Sequence, residues 1–128
     1  MCNYHDKFIY VSGGRDKVVR FNIRTEMWED VVSLNAKRSM HSSCVLKEFI
    51  YVVGGNVPNT IEKLDVSRLQ SRWQVIEIAF YPGWRPIFSV INKHELLILN
   101  TEASFVFNSE NGSLTQERVT AKGLLWVD

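Results

Sequence analysis

Short runs of apolar and β-branched residues, each bounded by polar turn residues, recur along the whole chain. Residues 18–23 form one such run, and the polar residues 24–26 end it. The runs show no sustained helical stripe, and turn signals about 8–12 residues apart are typical of antiparallel strands joined by tight connections. The pattern predicts an all-β fold with strands at residues 7–12, 17–23, 28–33, 41–47, 49–53, 60–66, 72–78, 86–92, 95–100, 103–108, 114–119 and 123–127.

One strand and the turn that follows it are repeated. Residues 8–14 read Phe-Ile-Tyr-Val-Ser-Gly-Gly, and residues 49–55 read Phe-Ile-Tyr-Val-Val-Gly-Gly. The offset between the two copies is 41 residues at these glycines, 45 at Trp28 and Trp73, and 47 at the arginines that follow. Connections vary in length more than packed strands do, so the growing offset indicates one repeated unit with insertions in its loops.

A third copy of the unit is degenerate. Residues 107–114 align without gaps on residues 21–28 at an offset of 86, with Leu114 in the position of Trp28. The preceding strand, at 95–100, has the expected apolar character but lacks the glycine pair. The chain therefore carries two clear repeats and one degenerate repeat.

A strand that ends in Gly-Gly, followed by Trp28 or Trp73 and then by Arg38 or Arg85, resembles the kelch repeat. The Gly-His and Trp-Asp dipeptides of the competing propeller family do not occur in the sequence. The resemblance implies a partial kelch-type β-propeller of about three four-stranded antiparallel blades. It implies one domain over residues 1–128, with repeat units at approximately 1–40, 41–84 and 85–128.

Three repeat units leave open how a ring of blades would close. A propeller typically closes with about 4–8 blades, and an open blade face exposes apolar surface and strand edges. We therefore expect this sequence to be a fragment of a longer propeller. The remaining blades of a longer chain, or self-association, would complete the ring.

The resemblance also gives the repeated residues structural roles. The glycine pairs Gly13-Gly14 and Gly54-Gly55 allow backbone angles and close chain approaches that a side chain would prevent. Trp28 and Trp73 are large apolar side chains suited to filling the wedge between neighbouring blades.

The arginines Arg38 and Arg85 occupy the start of the inner strand in the resembled family. There a guanidinium can tie loops together near the channel or contact a ligand, and the structural tie is favoured because a buried arginine needs partners.

Ligand peptides of similar propellers dock on the channel rim, which is made by the loops after the glycine pair and before the inner strand. The Pro-Gly turn at 82–83 is flanked by Tyr81 and Trp84, near Arg85. These residue types are frequent at binding hot spots, although Trp84 would equally well cap a blade edge with Tyr81 packed beneath it. The predicted partner-binding residues are Arg15, Asp16, Arg38, Ser39, Asn56, Asn59, Tyr81, Trp84 and Arg85.

Composition narrows the classes of partner and chemistry. The net charge of +1 gives no reason to expect a nucleic acid or a membrane as partner. His5, His41 and His94 lack metal-ligand spacing, and Cys2 and Cys44 are too few for a disulfide framework. We expect no catalytic residue, no metal and no cofactor. Neither a signal peptide nor a transmembrane segment is visible, so a cytoplasmic location is expected.

The predicted function is therefore a protein–protein interaction module that binds a peptide or protein partner through its rim loops. Within the resembled family this implies a substrate receptor of the ubiquitin-ligase adaptor type, or a scaffold. The alternative is a carbohydrate-active kelch-type enzyme, an oxidase or a sugar mutarotase. A copper oxidase would need imidazole and phenolate ligands from several blades, whereas Tyr10 and Tyr51 fall at packing positions of the repeat.

Overall fold

The structure is a computed structural model, and it describes residues 1–13, 16–56, 59–68, 70–79, 82–100 and 103–117. Within these ranges the regular secondary structure consists of β-strands alone, which confirms the all-β prediction. The strands are β1 (Cys2–Tyr4), β2 (Phe8–Ser12), β3 (Val18–Asn22), β4 (Met27–Val31), β5 (His41–Leu46), β6 (Phe49–Gly54), β7 (Thr60–Asp65), β8 (Gln74–Glu77), β9 (Ile87–Val90), β10 (Glu95–Leu99), β11 (Ser104–Asn108) and β12 (Leu114–Glu117).

The strands form three four-stranded antiparallel sheets, β1 to β4, β5 to β8 and β9 to β12, in which sequence neighbours are paired. We call them blades 1, 2 and 3, and they confirm the predicted partial propeller. Strands β2 to β12 begin and end within two residues of the predicted bounds. The short strand β1 was missed, because three residues are too few to show an alternating pattern. The predicted strand at 123–127 lies outside the described residues.

The inner strands of neighbouring blades contact each other, β1 with β5 and β5 with β9. Successive strands run in opposite directions, so the connections between strands lie at two ends of the blades. The β2–β3, β4–β5, β6–β7, β8–β9 and β10–β11 connections lie at one end, which we call the top. The other connections lie at the bottom.

Two apolar clusters fill the spaces between blades. Tyr10 and Val18 of blade 1 pack with Ile50 and Val52 of blade 2. The alternate residues of β6, such as Tyr51, point the other way and pack against blade 3. Strand β6 is therefore apolar on both faces, as expected of a strand that is covered on both sides. Each fully buried aliphatic side chain of these clusters contributes about 1.5–3 kcal/mol to folding.

The two repeat tryptophans occupy different environments. Trp73 is 5% exposed in the cluster between blades 1 and 2, and its Nε1 donates to the carbonyl of Val32 at 2.8 Å. Leu114, in the equivalent position, packs in the cluster between blades 2 and 3. Trp28 is 62% exposed and stacks on Phe21, with ring centroids 5.1 Å apart. It lies on the side of blade 1 that faces away from blade 2, so it fills no wedge between described blades.

The strand registers correct one correspondence inferred from the sequence. The hydrogen bonds from Val66 N to Glu48 O and from Ser109 N to His94 O are equivalent, and they align β6 with β10. Residues 53 and 99 are therefore equivalent, and their partners on the inner strands are Ser42 and Ile87.

Arg85 consequently corresponds to Met40, and Gly83 corresponds to Arg38. The left-handed φ angles of Met40 (58°) and Arg85 (49°) agree with this assignment. The sequence alignment of Arg38 with Arg85 was wrong by two residues, because an arginine happens to stand near the start of both inner strands.

Candidate functional site

An exposed tryptophan and an exposed arginine lie together on the top-end loop that leads from blade 2 to blade 3. Trp84 is 62% exposed, and Arg85 follows it. The loop is attached to blade 2 at both sides of Trp84: Gly55 N donates to Gly83 O at 2.8 Å, and Arg85 N donates to Met40 O at 2.6 Å. The two side chains are therefore presented from a loop that is held in place by its backbone.

The neighbouring top-end loops are joined in a similar way. Ser39 N donates to Asn56 Oδ1 at 2.8 Å, and Asn56 N donates to Ser39 O at 3.2 Å. Asn59 has a left-handed φ of 60°, and its carbonyl accepts a hydrogen bond from Ile78 N at 2.9 Å. We use the name rim surface for five exposed residues of these loops, Met40, Asn56, Asn59, Trp84 and Arg85.

The second glycine pair explains how these loops approach each other so closely. Gly54 and Gly55 have φ angles of 77° and 83°. A Cβ atom on Gly54 would lie 2.6 Å from Gly83 O, and one on Gly55 would collide with Ser39 O. Side chains at both positions are excluded by backbone angle and by space. In blade 1, a Cβ on Gly13 would lie 3.5 Å from His41, which is ordinary contact, and Gly14 lies outside the described residues.

Arg38 lies beneath the rim surface and is 1% exposed. Its Nε donates to Glu62 Oε2 at 2.9 Å, one Nη to Gly54 O at 3.1 Å and the other to Thr60 Oγ1 at 2.6 Å. These contacts fit the structural tie, which was one of the two roles considered for this residue. The buried guanidinium offers no surface to a partner.

Glu62 is one of the residues that sequence reasoning missed. Its side chain is fully buried, and its second oxygen accepts a hydrogen bond from Asn35 N at 2.6 Å. Asn35 Nδ2 also donates to Trp73 O at 2.7 Å. The loop between blades 1 and 2 is therefore attached to blade 2 by one carboxylate and one guanidinium. In the sequence Glu62 is followed by Lys63 within β7, and two adjacent charged residues read as solvent-facing.

The structure does not bring all the predicted binding residues together. Asp16 is partly buried, and its carbonyl accepts a hydrogen bond from Leu34 N at 2.7 Å, so it is not among the exposed residues of the rim surface. Arg15 and Tyr81 lie outside the described residues. Met40 was missed, because an exposed methionine with a left-handed backbone is not visible in the sequence.

A serine and a histidine meet between blades 1 and 2, with Ser12 Oγ and His41 Nε2 at 2.8 Å. Nucleophilic catalysis also needs a third group to orient the imidazole. His41 Nδ1 is buried and has no hydrogen-bond partner among the residues described. Burial lowers the pKa of His41 to about 4. The imidazole is therefore neutral at pH 7, and its charged form is disfavoured, which suits a packed residue better than a general base.

The two cysteines are poorly suited to nucleophilic catalysis or metal binding. Burial raises the pKa of both Cys2 and Cys44, so their thiols stay protonated near neutral pH and are weak nucleophiles and ligands. Over the described ranges, no group of three or more His, Cys, Asp or Glu side chains is arranged to hold a metal ion. The same ranges contain no helix with the length and apolar character needed to cross a membrane.

Comparison with known proteins gives relatives of one kind. No protein-family model matches the chain. The chain is similar to Kelch-like protein 36 of Bos taurus, with 32% identity over 69 residues that cover 46% of this chain and 11% of that protein. It is similar to Kelch-like protein 13 of Mus musculus, with 41% identity over 59 residues (38% and 9%). Kelch-like protein 21 of Danio rerio is 43% identical over 54 residues (38% and 9%). The chain thus spans 9–11% of the length of these relatives.

Proposed function

Because the repeats of this chain are kelch repeats that fold into four-stranded propeller blades, we propose that it acts as a protein–protein interaction module. Its rim surface binds a peptide or protein partner. The observation that carries the proposal is the exposure of Trp84 beside Arg85 on a loop that backbone hydrogen bonds hold in place. Tryptophan and arginine are the residue types that most often dominate binding energy.

The backbone at the rim surface supports the same proposal. Met40 and Arg85 have left-handed φ angles, which are unfavourable for residues other than glycine, asparagine and aspartate. The surrounding contacts hold these two residues in place, since Arg85 N donates to Met40 O at 2.6 Å. A loop already held in its binding conformation loses little entropy when a partner docks.

The partner class follows from the chemistry of the rim surface. Trp84 and Met40 offer apolar contact area, Arg85 offers a positive charge, and Asn56 and Asn59 offer amide groups for hydrogen bonds. Such a surface suits a peptide with apolar and acidic side chains. We propose a role as substrate receptor of the ubiquitin-ligase adaptor type, or as scaffold, in a cytoplasmic protein without enzymatic activity. Nucleic acid and membrane are not among the proposed partners.

We also propose that the outward side of blade 1 receives another blade. Trp28 occupies the position of Trp73, which in blade 2 is buried against the preceding blade. The exposed indole of Trp28 has the apolar body and the N–H donor that the equivalent junction uses. The remaining blades of a longer chain, or self-association, would supply the contact.

The rim proposal is tested with peptides selected from a displayed random library against the chain. Trp84→Ala and Arg85→Ala should weaken binding of the selected peptides, by about 30-fold for the tryptophan. Trp28→Ala removes an equally exposed indole from another surface and should leave the affinity unchanged. Circular dichroism checks that each variant remains folded. Peptides that bind Trp84→Ala and Arg85→Ala as tightly as the parent chain would refute the assignment.

A further inference from the structure

A group of basic side chains lies at the bottom end of blade 2, remote from the rim surface along the strands. There a cleft of about 520 Å³ is lined by Gln70, Gln74 and six further residues: Phe49, Lys63, Asp65, Arg68, Ser71 and Arg72. We call these six residues the bottom cleft. Its volume is in the range of sites that hold small ligands or short peptide segments.

The cleft has more positive than negative charge, and its cations are weakly engaged. Lys63 Nζ lies 5.0 Å from the centre of the Phe49 ring, and the structure gives Lys63 no ion pair among the described residues. Arg72 is exposed and has neither an ion pair nor a hydrogen bond within the part of the chain that is described. Three cations therefore face one carboxylate.

That carboxylate, Asp65, is already engaged by its own turn. Its Oδ1 accepts hydrogen bonds from Ser67 N at 3.0 Å and Ser67 Oγ at 2.6 Å. The pair between Arg68 Nε and Asp65 Oδ2 is long, at 3.5 Å, and the Arg68 side chain is 81% exposed. An exposed pair of this kind contributes little to stability. Arg68 can therefore turn towards an anion at small cost.

A hydroxyl group gives an independent indication of a ligand. Ser71 Oγ is buried and has no hydrogen-bond partner among the residues described. Ser71 lines both the bottom cleft and a smaller cavity of about 150 Å³ that Tyr10 and Arg20 of blade 1 also line. Buried polar groups are nearly always paired, and this hydroxyl, beside the cations of the cleft, has a hydrogen-bond donor to offer to an anion.

We propose that the bottom cleft binds a phosphorylated peptide segment. A phosphoryl group supplies about two negative charges and three acceptor oxygens, which match the cations and the free hydroxyl donor. The Phe49 ring and the stem of Lys63 would contact the side chain that carries the phosphate. A peptide is favoured over nucleic acid because the cations are confined to one cleft, and the whole chain has a net charge of only +1.

This site does not depend on the proposed function of the rim surface. The two surfaces lie at opposite ends of blade 2, so one chain could hold a partner at the top and a phosphorylated segment at the bottom. A substitution in either surface should leave binding at the other unchanged.

The test is fluorescence anisotropy of the full 128-residue chain with a labelled nonapeptide that carries one central phosphoserine. The unphosphorylated peptide and a glutamate version are measured in parallel. We expect saturable binding of the phosphopeptide that is about 10-fold or more tighter than binding of the serine peptide. The double variant Lys63→Gln/Arg72→Gln should lower the affinity about 10-fold or more, because charge-assisted hydrogen bonds are lost.

Two further variants control for folding and for general charge. Arg24→Gln removes an exposed cation from the bottom end of blade 1 and should change the affinity less than about twofold. Ser71→Ala removes only a hydroxyl and should weaken binding several-fold without changing the urea midpoint. The proposal is overturned by an absence of saturable binding, by equal loss in Arg24→Gln and the double variant, or by tighter binding of a 16-nucleotide single strand or of phosphatidylserine vesicles.

Discussion

Replacing Glu62 with glutamine removes one negative charge from beneath the rim surface while keeping the size of the side chain. The carboxylate accepts hydrogen bonds from Arg38 Nε and Asn35 N, at 2.9 and 2.6 Å. A glutamine amide can accept only one of the two, because its nitrogen is itself a donor. Arg38 would then be a fully buried cation without a counter-charge.

The size of the effect follows from burial. Both side chains of the Arg38–Glu62 pair have zero exposed area. Removing one partner of a buried pair costs about 3–5 kcal/mol, which is a large share of the roughly 5–15 kcal/mol that stabilises a typical domain. The Arg20–Glu29 pair provides a matched control, since its Nε–Oε1 distance is 2.7 Å but its side chains are 28% and 37% exposed. Glu29→Gln should cost about 0–1 kcal/mol.

Urea unfolding followed by far-ultraviolet circular dichroism measures both changes. Glu62→Leu and Arg38→Met are measured singly and together. The double variant removes both charges and should lose less stability than the two single variants lose in sum, because no buried charge remains unpaired. The reasoning is refuted if Glu62→Gln and Glu29→Gln lower the free energy of unfolding by the same amount. It is also refuted if the double variant is less stable than the sum of its single changes predicts.

Three further predictions concern the blade junctions and use paired variants. Trp73→Ala should cost about 3–5 kcal/mol in urea unfolding, whereas Trp28→Ala should cost less than about 1 kcal/mol, since the first is buried and the second exposed; equal costs would contradict the assigned environments. Gly54→Ala should destabilise by about 1–3 kcal/mol more than Gly112→Ala, because the two glycines have similar φ angles (77° and 74°) but a Cβ has free space only at Gly112; a thermal midpoint lowered equally in both would refute the steric argument. Because the folded-state pKa of His41, about 4, is below its usual 6.5, the unfolded chain binds more protons between these values, and stability should fall as pH decreases from about 6.5 towards 4. His41→Gln should lose less stability than the parent chain between about pH 7 and pH 5, and an identical pH profile would exclude this contribution.

Local patterns in the sequence were sufficient to predict most of the strands and their grouping into blades. Strand β6, for example, reads as apolar because it packs on both faces, and the glycine pair that ends it is required by contacts with Gly83 and Ser39. Strand β1 was missed because it is short. Its place in blade 1 depends on pairing with β2, which is a property of the folded chain.

The residues of the candidate site were harder to predict from the sequence than the strands were. Arg38 and Arg85 look alike in the sequence, but one is buried under the rim and the other is exposed on it, because their positions relative to the inner strand differ by two residues. Burial of Glu62 depends on a loop from the preceding blade, 24 residues earlier in the chain. Contacts of this kind leave no periodic pattern, so a pattern-based prediction could not find them.

The most direct measurement of the central proposal is a nuclear magnetic resonance titration of the labelled chain with a peptide selected for binding. If the rim surface is the binding site, the largest shift changes will occur at the Trp84 indole and at the amides of Met40, Asn56, Asn59 and Arg85. The Trp28 indole and the residues of the bottom cleft will be unaffected. Shift changes concentrated at Trp28 or at the bottom end, with an unchanged Trp84 indole, would contradict the account.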